Sequence, residues 1–166
     1  MSLQQDAPHR VPIDPIDPRG PRFAAAVTSV VLALVLVTAP SVFATSLLAA
    51  QAVLFALGAA LGLQRTPLAW VFRTTIRPRL TPPRELEDAA PPRFAQGVGL
   101  VFAAVGVLGF VAGIDLLGLV ATGFALAAAL LNAVFGLCLG CELYLLVRRA
   151  SSRPGAGADR PLLPTS

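Results

Sequence analysis

The sequence predicts an all-α membrane protein of four transmembrane helices, arranged as two helical hairpins in parallel repeat with both termini inside (N-in/C-in). Three observations predict it. Four long apolar stretches run through the 166 residues, all 13 Lys or Arg positions hold arginine and fall in three blocks between those stretches, and one tetrapeptide recurs at the entrance to the odd-numbered stretches. A helix rises about 1.5 Å per residue and the hydrocarbon core is about 30 Å thick, so a span needs roughly 20 mostly apolar residues. Hydrocarbon leaves free backbone amides unsatisfied, and continuous apolarity without period-two alternation excludes barrel strands, so each stretch is read as a helix.

Taken in chain order, residues 1–22 are polar and carry Pro8, Pro12, Pro15, Pro18 and Pro21, which predicts a disordered cytosolic arm. No cleavable signal peptide is expected from that composition, so the first helix stays in the mature protein. The four-helix domain covers 23–149, with spans at about 23–39, 42–63, 94–113 and 116–137. The fourth apolar stretch continues to Val147, too long for one untilted span, and its last part, 138–147, is expected at the membrane interface. Residues 64–93 form a loop in which 67–76 pair apolar Leu68, Val71, Phe72 and Ile76 with Arg73 and Arg77 at helical spacing, the pattern of a short interfacial helix. Residues 150–166 form a second disordered tail.

The turns at Pro40 and Ser41 and around Asp115 carry no arginine, whereas the termini and the central loop carry all of it. The positive-inside rule then places both termini and the loop in the cytoplasm, and the membrane as an inner, multi-pass one. A net charge of +4 suggests nucleic acid, but the arginines flank apolar spans in a chain that is 55% hydrophobic, so no nucleic-acid partner is expected; the lipid bilayer is.

Pro21, Arg22, Phe23 and Ala24 recur as Pro92, Arg93, Phe94 and Ala95. The hairpin ends correspond too: Leu61, Gly62 and Leu63 match Phe135, Gly136 and Leu137, and the LAWVF run that starts at Leu68 parallels the ELYLL run that starts at Glu142. This predicts a duplication about an approximate twofold axis along the membrane normal, with Trp70 and Tyr144 in matching interfacial positions.

The sharpest chemical signal is the one cysteine pair, Cys138 and Cys141, in FGLCLGCELY. Residues three apart share a helix face, which suits a disulfide or two-thiolate binding of a soft metal, and Gly136 and Gly140 can loosen or restart the helix there. A thiol at a helix N-terminus is easier to ionise, and Glu142 is a local proton acceptor whose charge also opposes thiolate formation. The bland alternative is that both cysteines pack as small apolar residues beside a Gly136 and Gly140 pair. The only histidine, His9, lies in the proline-rich arm, so a zinc site is not expected. Gln51 and Asn132 are read as interhelical hydrogen-bonding residues, Asp115 as solvated. No phosphate-binding loop, serine or histidine triad or intramembrane chain of ionisable groups is present, and no cofactor is expected.

The combination of DPRGPRFAAAV, PLAWVFRTTIRPRL, PPRFAQ and FGLCLGCELYLL resembles a bacterial, notably actinobacterial, family of small integral membrane proteins, the domain of unknown function 4395. The resemblance covers about residues 13–149, and its most specific element matches Phe135, Gly136, Cys138, Leu139, Gly140, Cys141 and Tyr144. It implies a membrane protein with a paired-cysteine signature and no established activity. Three functions stay open: thiol redox or sulfur handling with a thioredoxin-like or sulfur-transfer protein, a carrier for a soft metal ion or sulfur compound, and a structural membrane partner, alone or as a homo-oligomer.

Overall fold

Two tandem copies of one unit make the fold, each a membrane-length hairpin followed by a short helical segment that packs on the first helix of its own hairpin. The computed structural model describes residues 15–83 and 86–151. In the first copy α1 (Arg19–Thr38) and α2 (Val42–Leu61) are followed by a 3-10 turn (Leu63–Arg65), the short α3 (Pro67–Val71) and a π-helical turn (Phe72–Ile76). In the second copy α4 (Ala90–Val111) and α5 (Asp115–Phe135) are followed by α6 (Leu139–Ser151). α1, α2, α4 and α5 are each long and apolar enough to cross a membrane. Their outer faces expose Val30, Val37, Val42, Val101 and Val111 among other large apolar side chains, a surface that only lipid tails can cover without cost.

The four spans occur where the apolar runs predicted them, with shifted ends. α1 begins at Arg19 and α4 at Ala90, each four residues ahead of the apolar run. Asp17 Oδ1 accepts the Arg19 amide at 3.0 Å, Asp88 Oδ1 accepts the Ala90 amide at 3.0 Å, and the prolines that follow fall in the first turn, where a missing N–H costs nothing. Residues 15–22 are therefore ordered rather than part of a flexible arm; residues 1–14 lie outside the described residues, as does the tail beyond Ser151. α2 and α5 both end at a glycine with positive φ, Gly62 at 87° and Gly136 at 71°, a conformation that favours glycine. The last apolar stretch breaks close to the predicted end of its span: α5 stops at Phe135, and α6 starts afresh at Leu139.

The copies interlock. α1 packs on α5 and α4 packs on α2, the exchange that a twofold relation requires, and α4 and α5 also pack closely on each other. The repeated arginines tie the exchange together. Arg93 donates from Nε to the Ala59 carbonyl and from Nη2 to the Ala60 carbonyl, both at 2.6 Å, while Arg22 Nη2 donates to the Val134 carbonyl at 3.3 Å. Each arginine caps the last turn of the other copy's second helix, where four carbonyls lack helical partners. The repeated phenylalanines instead hold each copy's surface helix, with Phe23 5.9 Å from Phe72 and Phe94 5.7 Å from Tyr144 between ring centroids. This corrects one expected match: Phe72, only 4% exposed, is the counterpart of Tyr144, and Trp70, 61% exposed, is not.

Between the copies, Pro15 and Ile16 (β1) pair antiparallel with Glu87 and Asp88 (β2), close to where the two copies' equivalent ends meet. All described arginines gather at this end of the bundle or on the segments that follow each hairpin. The core inside is small, formed by Leu32, Val35, Leu48, Phe55, Ala103 and Phe110 among others. Gln51, 2% exposed, donates to Thr28 Oγ1 at 3.4 Å, so it does bridge two helices as expected.

Removing a cap should loosen the hairpin exchange. Arg22→Ala and Arg93→Ala should each cost about 1 kcal/mol, and the double variant about the sum, because the two caps share no partner. Reversible unfolding in mixed micelles measures this.

Candidate thiol site

The broken fourth stretch is what builds the site. Gly136 closes α5 by donating its N–H to the Asn132 carbonyl at 3.0 Å, and Leu137 donates to the Leu131 carbonyl at 3.3 Å. The chain then turns through Cys138 into α6. Cys138 stands directly before the first residue of α6, and its carbonyl accepts the Glu142 amide at 3.0 Å, the first hydrogen bond of the new helix. Its sulfur accepts the Cys141 amide at 3.3 Å. Cys138 therefore occupies the N-cap position, where a side-chain acceptor normally receives an amide of the first turn.

The two sulfurs lie in disulfide contact with Cα atoms 5.1 Å apart, inside the usual disulfide range. Both residues are half-buried, at the surface end of the bundle rather than in its middle. The inward side of α6 rests on α4 at Gly140, where an added β-carbon would stand 2.5 Å from Ala95 Cβ. Gly140 is therefore required by close approach. Gly136 is required by its left-handed backbone and does not form a packing pair with it. Glu142 sits in the first turn of α6, exposed, where a carboxylate is favoured by the helix dipole. Farther along, Tyr144 packs on Phe94 and the Arg148 guanidinium lies 5.9 Å from the Tyr144 ring centroid.

The first copy holds an equivalent of this site. Thr66 precedes the first residue of α3, and its hydroxyl accepts the Ala69 amide at 3.2 Å. Thr66 and Ala69 therefore correspond to Cys138 and Cys141. That equivalence escapes sequence matching because the connection from glycine to cap is two residues shorter in the second copy, which shifts the register.

The family model for the domain of unknown function 4395 matches residues 16–149, from β1 through the second cysteine and most of α6. The chain belongs to that family. Comparison with curated proteins and with solved structures finds no match. The domain of unknown function 4395 thus spans both copies of the unit, and its boundaries include the cysteine pair.

Among the described residues no group of three or more His, Cys, Asp or Glu comes together, so any metal bound here would rely on the two sulfurs plus other donors. Asn132 lies one turn before the end of α5 and lines a cavity that reaches Cys138.

Gly140→Leu should lower the unfolding temperature in detergent by an amount corresponding to about 1–3 kcal/mol, as overpacking does. Gly123→Leu, where nothing lies within 4 Å of the added carbon, should leave it nearly unchanged.

Proposed function

We propose that the chain is a membrane thiol–disulfide redox protein whose reacting pair, Cys138 and Cys141, faces the cytoplasm at the surface of a bacterial inner membrane. The observation that carries this reading is the position of Cys138: its sulfur caps α6, accepts the Cys141 amide and lies in disulfide contact with the second sulfur. Amide donation and the positive end of the helix dipole stabilise negative charge on that sulfur, the species that attacks disulfides. A cysteine used only for packing gains nothing from a cap position at a half-buried surface turn.

Exchange then proceeds through Cys138. The Cys138 thiolate attacks one sulfur of a partner disulfide, which leaves the partner's other sulfur as a thiolate. Cys141 next attacks Cys138, forms the internal disulfide and releases the partner's second sulfur; the reverse sequence oxidises a partner dithiol. The partner is a thioredoxin-like or sulfur-transfer protein, since the site lies at the surface end of the bundle and a soluble protein can approach it. Glu142, exposed in the same turn, offers a carboxylate to which thiol protons pass. A carrier for a soft metal ion or sulfur compound would use the same two sulfurs; their direct contact favours redox use.

The arginine distribution supports the cytoplasmic placement. Arg22, Arg65, Arg93 and Arg148 all belong to the end of the bundle that carries the cysteines, and the opposite turns carry none. Reporter fusions after Arg79 and at the C-terminus should both give cytoplasmic activity; external activity from either contradicts the orientation.

In reduced protein, limiting alkylation should modify Cys138 before Cys141, read by mass spectrometry. Cys141→Ser should accumulate a mixed disulfide through Cys138, Cys138→Ser should not, and each single variant should lose turnover as completely as the double variant, as expected of groups that act as one unit. Unimpaired turnover in either single variant would remove the redox reading.

A further inference from the structure

The duplicated fold places a cavity under each surface helix, and the two have diverged. The first copy's cavity, about 230 Å3, runs between α1, α2 and α3, with buried Thr28 and Gln51 in its wall and Arg73 and Arg77 at its rim. The second copy's cavity, about 240 Å3, runs between α4, α5 and α6 and reaches across to α1. At the positions equivalent to Thr28 and Gln51 it has Gly99 and Ala125. The cap residue at its end is Cys138 where the first cavity has Thr66. Thr28 and Gln96 line both cavities, so they differ in what each copy adds: Gln51 and a threonine cap in the first, small apolar Gly99 and Ala125 and a sulfur cap in the second.

We propose that the cavity beneath Cys138 binds the head of a lipid-soluble quinone, which takes two electrons from the Cys138 and Cys141 thiols. The proposal rests on the redox reading above and names its second substrate. The cavity wall is apolar and aromatic, with Phe55, Phe102 and Phe124 among its residues. Along α4 the lining runs from Ala95, against Gly140, to Phe102, seven residues or about 10 Å deeper into the bilayer. Phe124, 62% exposed, faces outward from this deep end and packs 6.2 Å from Phe102, so the cavity adjoins lipid where a long isoprenoid or alkyl tail resides. Such a cavity is smaller than the roughly 300–1,000 Å3 of sites that enclose a whole drug-sized ligand, which suits a ring whose tail stays in the membrane.

The polar groups that remain also fit. Asn132 and Gln96 are the amide side chains of this wall, and each offers N–H donors to a quinone carbonyl. Gln96 is held over Gly58 on α2, where an added β-carbon would meet its side chain at 2.9 Å. Cys138 lines the cavity while Cys141 does not, so the cysteine beside the ring is the one whose sulfur caps the helix.

The step balances. Two thiols lose two electrons and two protons as the S–S bond forms, and the quinone's two carbonyls become the two hydroxyls of a hydroquinone. A soluble dithiol protein then reduces the internal disulfide and resets the site. Electrons pass from a cytoplasmic thiol to the membrane quinone.

The test uses the full chain in lipid nanodiscs, reduced and freed of reductant without air, with a fully ring-substituted benzoquinone bearing a decyl tail as the probe. Quinone absorbance and alkylation of the thiols are followed together. One quinone should be consumed per disulfide formed. Ala128→Phe, which fills the cavity, should slow this by about tenfold or more while reaction with a small soluble disulfide is unchanged. Leu54→Phe, at the equivalent place in the first cavity, should change neither rate. If Ala128→Phe does not fold, Asn132→Leu should show the same selective loss. Equal quinone rates in wild type and the cavity variants overturn the site. A pair that reacts with the soluble disulfide but not with the quinone overturns the proposal and leaves the redox reading standing; thiols inert to both overturn the two together.

Discussion

The fold depends on how two interrupted helices are finished inside a membrane. α2 and α5 stop at glycines, and in hydrocarbon or at its edge the last carbonyls of each would be costly if left alone. Arg93 and Arg22 supply the missing donors, each reaching from the first helix of one copy to the end of the second helix of the other. A single type of interaction thus ends the helices, fixes which helices are neighbours and holds positive charge at one end of the bundle. The same short sequence does a second task through its phenylalanine, which seats the surface helix of its own copy.

The cysteine site inherits this arrangement. Once α5 is closed at Gly136, the chain has to start a new helix at the surface, and a new helix needs a cap. The first copy meets that need with Thr66, an ordinary capping hydroxyl. The second meets it with Cys138, whose sulfur accepts the equivalent amide, and adds Cys141 where the first copy has Ala69. The cysteine pair thus occupies the place of the first copy's capping threonine and its alanine partner. Gly140 completes it, because α6 can lie against Ala95 only if no side chain intervenes.

Much of this was legible in the sequence. The spans follow from apolar length, the duplication from Pro-Arg-Phe-Ala, and the candidate pair from the cysteine spacing. Hydropathy places the helix starts too late because it registers neither Asp17 and Asp88 as acceptors of the first helical amides nor prolines as first-turn residues. Phe72 was missed as the partner of Tyr144, and Thr66 as that of Cys138, because the unequal connections after Gly62 and Gly136 shift the register by two. The cavities are invisible in the sequence because they lie where small residues such as Ala128 and Ala129 line the wall, and a single sequence does not say which small residues face one another.

On the redox proposal, Cys138 and Cys141 form one reversible couple at an accessible surface. Differential alkylation in native membranes measures it most directly, with one mass label applied to the folded protein and a second after reduction, across a series of poised dithiol buffers. Both cysteines should pass between the two labels together, along a single two-electron curve, without denaturation. Cysteines that stay reduced at every potential, or that take label only once the protein is unfolded, would contradict it.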